Sequence, residues 1–192
     1  MRISDKLLGN NREHIPNRAF RLMAFVMKVM DIMGYYDKNF KTLGLQKGQT
    51  VIDYGCGPAR YTLRIAKAIG KNGQLIATDI HPLAIKRVAR KIKKYGLSNT
   101  KAVLSKGYSC PLNEHIADVV LALDMFHMIQ DTNALLKEFA RLVKPSGVVI
   151  IEDGHQPREQ TKAKIISSGF FKIIEETKEH VKCKVLNNNF KN

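Results

Sequence analysis

From residue 50 onward, short runs of β-branched and aliphatic residues alternate with longer stretches of helical periodicity. The apolar runs fall at 50–54, 74–78, 100–104, 118–122 and 147–151, with helical patterns at 59–69, 82–94 and 132–143 between them. Such strand–helix alternation predicts right-handed crossovers and a parallel sheet. Runs such as Val-Val-Leu-Ala-Leu at 119–123 have no polar face, as expected of strands covered on both sides. Two further strand-like runs, 170–176 and 180–186, are joined by the short polar link 177–179. They predict an antiparallel hairpin closing one edge of the sheet. Ahead of the core, 17–36 has the pattern of an amphipathic helix, with Phe20, Met23, Met27 and Met30 on one stripe. That stripe either packs a cap onto the domain or, because thioethers fit irregular surfaces, forms an adaptable lid over an apolar ligand.

A length of 192 residues suits one domain with a sizeable core. No internal repeat or low-complexity tract interrupts it. The apolar stretch 19–36 is broken by Arg21, Lys28 and Asp31 and is unsuited to crossing a bilayer. The first residues lack the continuous apolar region of a secretory signal, so a cytoplasmic location is expected. Cys56, Cys110 and Cys183 are few, odd in number and widely spaced, and no C-x-x-C pair occurs. A disulfide framework, a zinc ribbon and a thioredoxin-like site are therefore unsupported, and no metal site is read. The formal net charge of +15 is compatible with an anionic partner or with nothing more specific than solubility.

The chemically informative segment is Val51-Ile52-Asp53-Tyr54-Gly55-Cys56-Gly57-Pro58-Ala59-Arg60. An apolar strand ends near an acid and turns through two glycines into a helix. Glycine permits positive φ and close approach of a ligand to the backbone, and open α/β sheets bind ligands at the carboxyl ends of their strands. A dinucleotide fingerprint would need a third glycine where Arg60 stands. A second acid, Asp79, ends the run Leu75-Ile76-Ala77-Thr78, 24 residues after Gly55.

The segment resembles motif I of the class I S-adenosylmethionine-dependent methyltransferases, hydrophobic-hydrophobic-acid-hydrophobic-G-x-G-x-G, with Ala59 in place of the last glycine. The stretch Ala122-Leu123-Asp124-Met125-Phe126-His127-Met128 resembles the family's segment after the fourth strand, which often reads L-H-H. His127 matches the second histidine and Phe126 replaces the first. Val143-Lys144-Pro145-Ser146-Gly147 resembles the L-K-P-G-G turn before the fifth strand. The likeness covers about residues 50–151 and is greatest to the branch of ubiquinone and menaquinone biosynthesis methyltransferases and many small-molecule enzymes.

The resemblance implies an α/β fold: a Rossmann-like three-layer sandwich whose mostly parallel seven-stranded sheet carries an antiparallel C-terminal hairpin and an N-terminal helical cap. One methyltransferase domain is expected over 1–192, with the cap at 1–45 and the core at 46–192. The implied cofactor is S-adenosyl-L-methionine, contacted by Asp53, Tyr54, Gly55, Cys56, Gly57, Asp79, Ile80, Gly107, Tyr108, Leu123 and Asp124. In the family an acid at the position of Asp79 accepts from both ribose hydroxyls, since a carboxylate offers two acceptor oxygens; a role at the start of the next helix is compatible with this. The branch often has an acid after the glycine of the loop following the third strand. Here Tyr108 follows Gly107, so that acid's role is not carried over.

Candidate bases near the strand ends are Asp124, His127, Asp153 and His155, and none is a secure catalytic residue. His127 could equally be a structural histidine and 152–155 a solvated turn. The chain has neither a D-P-P-Y-like nor an N-P-P-Y-like tetrapeptide, nor a Pro-Cys dipeptide, and has few cysteines for arsenite. The expected acceptor is a small molecule, apolar or membrane-associated. The alternatives are RNA or protein methylation through a basic surface and a non-catalytic binding module. Lys86, Arg87, Arg90, Lys91, Lys93 and Lys94 crowd one helix; they form a solvated face or a contact with RNA phosphate or anionic lipid.

Overall fold

The computed structural model describes residues 13–34 and 37–186. The first twelve residues, on which the leader-peptide expectation rests, lie outside this range, as do residues 35 and 36 at the end of the expected cap helix.

Helix α1 (Asn17–Ile32) and the short α2 (Asp37–Thr42) precede β1 (Thr50–Tyr54), α3 (Thr62–Ile69), β2 (Gln74–Asp79), α4 (Pro82–Tyr95) and β3 (Thr100–Leu104). Then follow β4 (Ala117–Ala122), a single 3-10 turn (Phe126–Met128), α5 (Thr132–Leu142), β5 (Val143–Glu152), α6 (Arg158–Ser167), β6 (Phe171–Glu176) and β7 (His180–Val185). The seven strands form one sheet in the order β3-β2-β1-β4-β5-β7-β6. The first five are parallel, and β7 runs antiparallel to both β5 and β6. The predicted α/β fold with its C-terminal hairpin is therefore the observed one.

The apolar pattern fixes each strand's place. β1 and β4 are buried almost throughout and sit at the centre, whereas β3 and β6 alternate with exposed positions and form the edges. Each face is covered by its own apolar cluster, one around Phe126, Leu136 and Phe139, the other around Val51, Ile65 and Leu75. α4 starts with Pro82 at its first position and His81 Nδ1 accepting from the Leu83 N–H (3.1 Å), and it ends on left-handed Gly96. α5 starts with Asp131 accepting from the Ala134 N–H (2.9 Å).

Some bounds differ from expectation, and one helix was not expected. α3 begins at Thr62 rather than 59 because Ala59 takes φ 65, outside the helical region. β5 begins at Val143, directly after α5, with Pro145 inside it. α6 was not foreseen: its buried residues are only Thr161 and Ile165, one helical turn apart, too sparse a stripe to read. No helix among the described residues is long and apolar enough to cross a membrane.

The strand order reverses between β1 and β4, whose neighbours β2 and β5 lie on opposite sides. In open α/β sheets the crevice at such a switch point, outside the carboxyl ends of the strands, is where ligands bind.

Candidate functional site

A cavity opens at that switch point, and every residue expected to contact a cofactor lines it: Asp53, Tyr54, Gly55, Cys56, Gly57, Asp79, Ile80, Gly107, Tyr108, Leu123 and Asp124. The turn after β1 is tied to β2 in two ways. Gly55 and Cys56 N–H both donate to the Thr78 carbonyl, at 2.8 and 3.0 Å. Asp79 then accepts from Gly57 N–H through Oδ2 (2.8 Å) and from His81 N–H through Oδ1 (2.7 Å). Both carboxylate oxygens are thus oriented by fixed donors, and each keeps a further lone pair for a diol. Gly55 (φ 75) and Gly57 (φ 50) supply the left-handed backbone this turn requires. A Cβ on Gly57 would meet nothing closer than the Gly55 carbonyl at 3.9 Å, so bare backbone faces open space where a ligand can approach.

Ala59, standing where the motif has its last glycine, keeps the glycine-like conformation. Left-handed geometry costs a non-glycine residue about 1–2 kcal/mol. It is held by burial and by Lys91 Nζ, which donates to its carbonyl at 2.7 Å. One of the six basic residues of α4 is thereby structural. Arg87 lies partly over the Phe20 ring, while Lys86, Arg90, Lys93 and Lys94 face solvent.

Arg60, read from sequence only as a missing glycine, lines the cavity and pairs with Asp124 at 3.2 Å. It stands among three carboxyls, those of Asp53, Asp124 and Glu152. Burial pushes Asp53 up to about 7, against the pull of Arg60 and with a further push from Asp79. Burial likewise raises Glu152 to about 7, opposed by Arg60 and assisted by Asp124 and Asp53. Asp79 is raised by burial as well, against the hydrogen bonds from His81 and Gly57. One guanidinium cannot balance this set, so the site favours a cationic ligand.

The opposite wall comes from the N-terminal segment, of which the sequence suggested the helix but not the contacts of residues 13–15. Glu13 accepts from the Gln130 N–H at 2.7 Å and is hydrogen-bonded to the Tyr108 hydroxyl. Ile15 O is paired with His81 Nε2 at 3.0 Å, and Phe20 stacks on the His81 ring. Met23 and Met27 line the cavity and Met30 packs beneath it, so the methionine stripe serves both cavity wall and core. Tyr108 is held by the Tyr54 hydroxyl, which donates to its carbonyl at 2.7 Å. The loop behind it is anchored by Arg141, which pairs with Glu138 and donates to the Cys110 and Leu112 carbonyls.

Of the four candidate bases only Asp124 lines the cavity. His127 and His155 stand beside it, with rings edge to face at 5.0 Å. Asp153 lies outside the lining, both its oxygens taken by Arg158 Nε at 2.9 and 2.7 Å. All three cysteines are buried; burial raises the Cys56 thiol well above its usual range and the Cys183 thiol to about 12, which leaves neither as a ready thiolate.

A glycine turn facing an acid with acceptor capacity to spare, at the switch point of a doubly wound sheet, is the frame of a nucleoside-binding α/β protein. Residues 45–191 match the family model of the methyltransferase domain. The chain belongs to this family, among the class I S-adenosylmethionine-dependent methyltransferases, whose cofactor is S-adenosylmethionine. It is 28% identical over 121 residues to demethylmenaquinone methyltransferases of Geobacillus sp. (strain WCH70) and of Bacillus subtilis (strain 168), in each case 63% of this chain and 52% of the relative. The chain spans about half the length of the curated relatives it matches. A SAM-dependent methyltransferase from Aquifex aeolicus superposes with TM-score 0.69 at 23% identity, over 78% of this chain and 89% of that one. The [4+2]-cyclase SpnF has the same fold, with TM-score 0.60 at 19% identity over 68% of this chain and 54% of its own.

Proposed function

We propose that this chain is a cytoplasmic enzyme that transfers the methyl group of S-adenosylmethionine to a small apolar acceptor met at an anionic membrane surface. The observation that carries the acceptor class is the cavity wall beyond the cofactor turn. There Met23, Met27, Met125, Met128, Ile129 and Leu135 offer an apolar, adaptable lining. A lipid-like ring or chain fits such a wall; a nucleotide base or a charged peptide would leave its polar groups unpaired.

When bound, the cofactor supplies an electrophilic methyl on a sulfonium. The protein's part is positional. Asp79 holds the diol end, the Gly55–Gly57 backbone lets the ligand approach, and the apolar wall excludes water around the acceptor. Such alignment is worth roughly 7–11 kcal/mol in well-oriented reactions. The demethylmenaquinone methyltransferase relatives act on an acceptor of this chemical kind.

The outer face of α1 supports the membrane contact. Leu22, Phe25, Val26, Val29, Ile32 and Met33 are all exposed and recur at helical spacing, on the side away from the cavity-lining methionines. Beside them, Arg21, Lys86, Arg87 and Arg90 line a shallow basic groove. An apolar stripe rimmed by cations suits the interface of an anionic bilayer. A second reading, RNA or protein methylation through the basic surface, uses only the cations and leaves the apolar stripe unexplained.

The separating experiment incubates the protein with methyl-labelled cofactor and, in parallel, lipid extract, total RNA and a pool of water-soluble metabolites. Label is expected in the lipid extract. Label confined to RNA would overturn the acceptor class.

A further inference from the structure

Three of the four residues read as candidate bases are brought together by separate elements. Asp124 follows β4, His127 sits in the 3-10 turn, and His155 lies in the loop after β5. One carboxylate oxygen and one imidazole nitrogen from each histidine all lie within 4.8 Å of one another. The backbone is arranged to allow this. Asp124 adopts φ 56, uncommon for a residue with a side chain and found disproportionately at functional sites. Gly154 has φ 64, and a Cβ there would fall 2.0 Å from His127 Nδ1, so only glycine lets the His155 loop pass so close.

We propose that Asp124, His127 and His155 form a binding site for a first-row divalent transition ion at the rim of the cofactor cavity, with its open coordination positions facing the acceptor. Two imidazoles and one carboxylate suit zinc, cobalt or ferrous iron rather than magnesium or calcium, and three protein ligands leave room for an exogenous oxygen. Three donors on one tetrahedral ion at ~2.1 Å stand about 3.4 Å apart, so a spacing of up to 4.8 Å leaves up to about 1.4 Å to close on binding. His155 is exposed, so its side chain has room to rotate toward the other two donors. Arg60 takes one oxygen of Asp124, and a carboxylate offers a second. Asp124 also lines the cavity, so an ion held there would present its free positions to an acceptor hydroxyl or carbonyl. Ion binding needs neither the acceptor class nor methyl transfer, so its failure and theirs are separable.

The test is titration of the whole chain, without cofactor, with cobalt(II), followed by visible absorption and then displacement by zinc. One saturable equivalent of cobalt is expected, with the colour of a low-coordinate nitrogen–oxygen site. His155→Ala and His127→Gln should each weaken binding by about tenfold or more, with the thermal midpoint of His155→Ala unchanged because that side chain is exposed. Absence of saturable binding, or binding that both variants retain, would overturn the site.

Discussion

Replacing Asp79 with alanine is expected to raise the dissociation constant for S-adenosylmethionine by about 10- to 100-fold, from a loss of roughly 1.5–3 kcal/mol typical of charge-assisted hydrogen bonds. The side chain does two things at once. It ties the glycine turn to the start of α4 by accepting from Gly57 and His81, and it lines the cavity, where its remaining acceptor capacity is proposed to meet the ribose. Asp79→Asn keeps one acceptor of the right shape but loses the charge and half the acceptor capacity, so its effect should be intermediate. Calorimetric titration of the three proteins measures this, with thermal melting run alongside to separate lost affinity from a loosened turn. Equal affinity in all three would mean that the adenosyl end binds elsewhere.

Phe126→Ala is expected to cost about 3–5 kcal/mol of stability, lowering the unfolding midpoint by roughly 6–20 °C for a chain of this size. In the family pattern a histidine stands at this position, which invites a functional interpretation. The structure gives the residue a different task. Phe126 is fully buried in the cluster formed with Leu135, Leu136 and Phe139, and Lys164 Nζ lies over its ring at 5.6 Å. The 3-10 turn that presents His127 is therefore anchored by its neighbour. Phe126→His, which restores the family's residue, should also destabilise, since the imidazole would be buried among apolar groups. Circular dichroism melts of both variants provide the check, and an unchanged midpoint in either would contradict the packing role.

The contrast between these two positions shows what was legible in the sequence. Asp79, the Gly55–Gly57 turn and the buried strands carry local signals: an acid at a strand end, two glycines at fixed spacing, and apolar runs without a polar face. With the family resemblance these signals carry, one wall of the cavity could be written down residue by residue. The opposite wall could be only in part: the stripe of Phe20, Met23 and Met27 showed at helical spacing, whereas the contacts of residues 13 and 15 join points far apart in the chain. Glu13 meets Gln130 and Ile15 meets His81, and nothing in the local pattern around residue 13 announces either. Arg60 was visible only as an absence of glycine, although its cationic head orders Asp124 at the cavity edge. α6 escaped because two buried residues make no stripe. Asp153 looked like its neighbours until Arg158, five residues on, claimed both of its oxygens.

The switch-point cavity is expected to bind a cationic adenosyl ligand against Asp53 and Asp79. Calorimetry of the unmodified chain with S-adenosylmethionine at pH 6, 7 and 8, in buffers of differing ionisation enthalpy, tests it most directly. Burial holds the Asp53 carboxyl at about 7, so at pH 6 it is largely protonated, and a bound cation would favour its ionisation. Affinity should therefore rise as pH increases through 7, with proton release at pH 6 that fades by pH 8. No binding heat and no thermal shift at any of the three values would contradict the claim, and so would tight binding that is indifferent to pH.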